Sequence, residues 1–109
     1  MMFPLDPGYH LYTDVSPSEQ QRWIKKLRKC PGNTQRDPLT QAGYLEHPVT
    51  YLFCEGDAAL PLEVQKMMVE GVKAMGGKVE EESCEASHSP FLSMPERVLE
   101  VVEKAAKTA

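Results

Sequence analysis

The chain has 109 residues, 41% of them apolar, enough for one hydrophobic core and too few for two. Its 16 acidic and 12 basic residues leave a net charge of −4, and the lysines and arginines form no extended stripe that could neutralise a phosphate backbone, which excludes nucleic acid as a partner. No apolar run approaches bilayer length and the opening MMFPLDPGYH lacks the basic and apolar regions of a signal peptide, so the expectation is a soluble, cytoplasmic protein with no membrane partner.

Along the chain, the first strong signal is SPSEQQRWIKKLRK. Ser16 fits an N-cap, Pro17 the first helical position, and Glu19 completes a capping box, which predicts a helix starting at Pro17 and running to the basic residues Lys25, Lys26, Arg28 and Lys29. Trp23, Ile24 and Leu27 share one narrow apolar stripe, as on a surface helix. CPGNTQRDPLTQAG is rich in turn formers and reads as a connector.

Val49 to Cys54, VTYLFC, is apolar except for Thr50, the pattern of a parallel strand covered on both faces. LPLEVQKMMVEGVKAMGG follows, with Val64, Met67, Met68, Val72 and Met75 at helical spacing and Gly76-Gly77 as a stop; the methionines read as core filler. KVEEESC predicts a second strand whose Glu80, Glu81 and Glu82 suit a charged sheet edge. The unit is β-α-β with a right-handed crossover expected. SMPERVLEVVEKAAK closes the chain as a helix capped by Ser93 with Glu96, its stripe made of Val98, Leu99, Val101, Val102, Ala105 and Ala106. The apolar strand has two edges and the polar one can cover only one of them, so the expectation is self-association or a complementary chain at the other.

Cys30, Cys54 and Cys84 show no CxxC spacing and read as thiols, with Cys54 and Cys84 in the core. Asp57 lies three residues beyond the apolar strand and His88 in the loop after the polar one. Both fall at carboxyl ends of parallel strands, where open α/β sheets place their sites, and a carboxylate there can fix an imidazole's tautomer and stabilise its cation. The plainer alternative makes Asp57 a turn cap and His88 a solvated loop residue. A metal site from Cys84, Glu85 and His88 matches no known ligand spacing.

VTYLFCEGDAALPLEVQ resembles the acid loop of the α/β-hydrolases, with Asp57 as the triad acid. ASHSPFLSMPERV resembles their histidine loop, in the branch of small-ester hydrolases akin to the plant methylesterases. YHLYTDVSPSEQQRWIKKLRK, residues 9 to 29, is similar to part of that branch's substrate-covering cap. The resemblance implies residues 1–47 as a cap-like helix and connector, and residues 48–109 as the C-terminal β-α-β-α part of an α/β-hydrolase core. It implies catalytic roles for Asp57 and His88, a small ester-like substrate and no cofactor.

The G-x-S-x-G elbow of these enzymes is missing: none of Ser16, Ser18, Ser83, Ser87, Ser89 or Ser93 stands in that context. Two backbone donors of the oxyanion hole would be missing with it. The expectation is a C-terminal fragment, a truncated gene product or half of a split enzyme, inactive alone. The alternative is a non-catalytic interaction module, a pseudo-enzyme docking a partner through its open sheet edge.

Overall fold

A computed structural model describes residues 3–109. Helix α1 (Pro7–Leu11) begins at an Asp-Pro pair: the Asp6 carboxylate accepts the Tyr9 amide at 3.1 Å, and proline's fixed φ suits the first helical position. Helix α2 (Pro17–Ile24) starts where its capping box predicts, with Ser16 Oγ accepting the Glu19 amide at 3.4 Å. It stops at Ile24 instead of reaching Lys29. The amides of Lys26 and Leu27 turn back to the carbonyls of Trp23 and Ile24 in tighter three-residue turns, and continued winding would stack Lys25, Lys26, Arg28 and Lys29 on adjacent turns. The connector contains a 3₁₀ turn (Gly32–Gln35) and helix α3 (Gly43–Glu46).

Strand β1 (Val49–Cys54), helix α4 (Leu62–Ala74) and strand β2 (Val79–Cys84) form the expected α/β unit, its two strands parallel and in register from Val49↔Val79 to Cys54↔Cys84. Gly76 ends the α4 segment at φ +91°, a left-handed conformation that costs a glycine no Cβ clash. Helix α5 (Pro90–Ser93) and helix α6 (Pro95–Thr108) complete the chain. Ser93 does not cap α6, because it is the last residue of α5. Met94 takes the N-cap position with no side-chain bond, and Ser93 Oγ is buried with no hydrogen-bond partner among the described residues. No helix of the described residues is long and apolar enough to cross a membrane.

The core gathers at the carboxyl ends of the strands. Cys54, Cys84 and Ala86 are buried together, with Leu52 and Met94 packed against them, directly beneath the loops that carry Asp57 and His88. Elsewhere burial is incomplete. Of β1, only Phe53 and Cys54 are fully buried, so its two-sided apolar pattern is only half covered. Met67, Met68 and Met75 are not core filler: they are 70%, 50% and 59% exposed and, with Tyr44, Tyr51 and Val72, line an apolar groove of ≈ 370 Å³ on one face of the sheet. Leu99 and Val102 of the α6 stripe are also exposed. The chain presents 7958 Å² of surface, against about 6,100 Å² for a compact monomer of its mass. Its radius of gyration of 15.4 Å exceeds the roughly 13 Å of a compact domain this long.

The β2 glutamates act on the faces of the sheet as well as its edge. Successive side chains alternate, so Glu81 reaches Lys73 of α4 at 3.2 Å while Glu82 pairs with Arg97 of α6 at 2.8 Å and with Lys104. Lys104 and then Arg97 hold the Glu82 carboxyl below its ordinary value of 4.5. A carboxyl depressed by folding stabilises the native state above its unfolded pKa and loses that contribution as pH falls through the folded one. The stability difference between wild type and Glu82→Gln is therefore expected to shrink as pH is lowered below about 4.5, read from urea unfolding at a series of pH values. A gap that stays constant across that range would refute the ion-pair assignment.

Candidate active site

The site is built where the two strands run out. Beyond β1 and β2 the backbones stay together for two more bonds, Glu55 N–H to the Cys84 carbonyl at 2.9 Å and Gly56 N–H to the Ala86 carbonyl at 3.1 Å. Gly56 is required by this approach: a Cβ there would lie 2.9 Å from the Glu85 oxygen and 3.3 Å from that of Ala86, both backbone atoms that cannot step aside. Gly56→Ala is expected to push the two loops apart and to cost about 1–3 kcal/mol of stability, the usual range for forced overpacking, measured by denaturant unfolding.

The next residue, Asp57, divides its two oxygens between two tasks. Oδ1 accepts the amides of Ala59 and Leu60, each at 2.8 Å, which closes the turn. Oδ2 lies 2.8 Å from Nδ1 of His88. The turn-cap reading and the acid reading of Asp57 thus describe different oxygens of one carboxylate. Its side chain is 6% exposed, whereas that of His88 is 41% exposed. An ionised carboxylate only accepts, so His88 donates from Nδ1, leaving Nε2 of the exposed ring as the nitrogen available for proton transfer.

Two supporting residues carry no local signal and escape a reading of the sequence. Gln65 of α4, 1% exposed, accepts the Cys54 amide at 3.0 Å and donates to the carbonyls of Cys54 at 2.9 Å and Leu60 at 2.7 Å. It therefore ties together both ends of the acid loop. Asp14, 73 positions before Ser87, accepts the Ser87 amide at 2.9 Å and also the Ser87 hydroxyl. Burial works most strongly against the charge on Asp14, but the donors around it, the Ser87 hydroxyl foremost, together outweigh it and hold the carboxyl below its usual value.

The local thiols and hydroxyls are engaged elsewhere. Cys54 and Cys84 face each other in the core with sulfurs 3.9 Å apart, and burial, followed by the neighbouring Cys84, pushes the Cys54 thiol up to about 12. A thiol so rarely ionised is a poor nucleophile. Ser87 is buried with its hydroxyl on Asp14, and Ser89 is buried beside it. Cys84, Glu85 and His88 are not brought together, since Cys84 faces Cys54 and His88 faces Asp57, and no metal-holding cluster occurs among the described residues.

Two proteins of known sequence are similar to this chain. An Aspergillus novofumigatus protein named alpha/beta hydrolase nvfD is 37% identical over 99 residues, which are 91% of this chain and 38% of that protein. A Phoma sp. protein named probable hydrolase is 42% identical over 71 residues, 64% of this chain and 29% of that protein. The chain thus spans well under half the length of these relatives. No protein-family model and no solved structure matches it.

Proposed function

Because the chain is related to the α/β-hydrolase superfamily, we propose that Asp57 and His88 are the acid and base of a serine-hydrolase site whose nucleophile and oxyanion hole lie in sequence outside these 109 residues. The observation that carries this reading is the 2.8 Å contact between His88 Nδ1 and an Asp57 carboxylate already fixed by two amides. In the completed site His88 Nε2 takes the proton of the serine hydroxyl as it attacks an acyl carbon, then returns it to the leaving group. Asp57 keeps the imidazole in the required tautomer and stabilises its cation between the two steps. The substrate class is a small ester or related acyl compound, as the resemblance of the histidine loop implies, and no cofactor enters the chemistry.

The half-covered β1, the exposed methionine groove and the surplus of surface support a complementary polypeptide as the source of the serine. The same features favour the second reading, a docking module without catalysis. Co-expression separates the two. The chain is produced with the part of the Aspergillus relative that lies outside the matched region, and hydrolysis of a short-chain aryl ester is followed. Activity is expected only when both pieces are present, and to fall by about 10⁴-fold with Asp57→Asn, as for the acid of other triads. A complex that forms without activity, or activity indifferent to His88→Ala, would leave the docking reading.

A further inference from the structure

The peptide leading into His88 is held by a part of the chain far away in sequence. After the Gly56-to-Ala86 bond the two loops share no further backbone hydrogen bond among the described residues, so Ser87, 1% exposed, has to find partners for its amide and hydroxyl elsewhere. Both go to Asp14, the amide to Oδ2 at 2.9 Å and the hydroxyl to Oδ1. Four residues before Asp14, His10 Nδ1 lies 3.4 Å from the carbonyl oxygen of Ala58, inside the turn that Asp57 closes. Between them Tyr12 is buried and anchors the segment. One short stretch, residues 10–14, thus touches the residue after the acid and the residue before the base.

Resting on the reading of Asp57 and His88 as acid and base, we propose that Asp14 is a positioning residue: its two-oxygen grip on Ser87 sets the orientation of His88, and the strap from His10 to Asp14 fixes the spacing of the two catalytic loops. A carboxylate suits both Ser87 donors. Ser87 presents a donor to each oxygen and both bonds gain from the negative charge; an asparagine would keep its oxygen on the amide and donate its NH₂ group to the hydroxyl oxygen in weaker neutral bonds, whereas alanine removes the grip. Nothing else reaches the Ser87 amide, so the strap is the only restraint between Ala86 and His88 among the described hydrogen bonds. Positioning of this kind matters to catalysis because a base displaced by about 1 Å can cost on the order of 10²-fold in rate.

The test reads the His88 tautomer directly. Long-range proton–nitrogen correlations of the imidazoles are recorded on the ¹⁵N-labelled full chain at a pH where the rings are neutral, and the His88 signals are assigned by their loss in His88→Gln. Wild type is expected to show the Nδ1–H tautomer, Asp57→Asn to lose it, and Asp14→Ala to lose it as well, with a circular dichroism spectrum like that of wild type. An unchanged Nδ1–H pattern in folded Asp14→Ala would overturn the proposal while leaving the acid–base pair intact. Absence of the pattern from wild type would instead remove the pair itself, and the proposal with it. Should Asp14→Ala fail to fold, Ser87→Ala decides, since it keeps the amide bond and deletes only the hydroxyl. Partial loss of the pattern is then expected, and full retention refutes the strap.

Discussion

Alone, the 109-residue chain is expected to hydrolyse simple aryl esters no faster than buffer. The nearest hydroxyls to His88 in sequence are those of Ser87 and Ser89. Ser87 is 1% exposed with its oxygen bound to Asp14, and Ser89 is buried, so neither can approach an acyl carbon from the solvent side of the imidazole. The buried thiol pair offers no substitute, because burial keeps both sulfurs from solvent and pushes the Cys54 thiol up to about 12. Loss of the nucleophile from a triad lowers kcat by on the order of 10⁶, and absence of the oxyanion donors removes the electrostatic stabilisation that would otherwise survive it. The measurement is hydrolysis of a 4-nitrophenyl ester by purified chain beside a His88→Ala control. Saturable turnover in wild type that disappears in the control would show that this chain carries a nucleophile of its own, and the complementary-chain reading would fall.

The second large effect is expected at Gln65, a residue with no catalytic chemistry. Its side chain satisfies the Cys54 amide, the Cys54 carbonyl and the Leu60 carbonyl, three groups that bracket the acid loop. Gln65→Ala strands the Cys54 amide and the Leu60 carbonyl, while the Cys54 carbonyl keeps the Asp57 amide at 3.3 Å. Each buried polar group left without a partner costs about 1–3 kcal/mol, so the total for two is on the order of 2–6 kcal/mol, a large part of the typical 5–15 kcal/mol that holds a domain folded. Urea unfolding gives the number. Gln65→Glu is expected to be damaging too, because a carboxylate can still accept the Cys54 amide but faces the two carbonyls with no donor. A loss below about 1 kcal/mol in Gln65→Ala would mean that water enters and replaces the amide, and that the acid loop is held by the Asp57 turn alone.

A good part of this molecule can be read without its tertiary structure. VTYLFC and the α4 pattern ending at Gly76 have local periodicities that admit one interpretation, and a parallel β-α-β unit follows from them. The placement of Asp57 and His88 at the carboxyl ends of adjacent parallel strands is a consequence of that topology, which is why two residues separated by 31 positions can be paired from local pattern alone. The helix start marked by Ser16 and Pro17 is equally plain, because a cap is made by neighbours in sequence.

The tertiary structure alone decided the rest. Ser93 resembles a cap as well as Ser16 does, yet α5 claims it first, and only the packed chain settles which of two overlapping local preferences wins. Met67, Met68 and Met75 have the spacing of a buried stripe, but spacing tells which residues share a face and not whether anything lies opposite that face. Glu81 and Glu82 look like one charged run until the strand's alternation sends them to different helices. Asp14 and Gln65 have no signature at all: each is a polar residue at an ordinary position whose importance comes from buried donors and acceptors brought to it across 73 and 11 positions. Local pattern is set by backbone periodicity and therefore written in the sequence, whereas the demand that every buried polar group find a partner is met only after the chain has closed on itself.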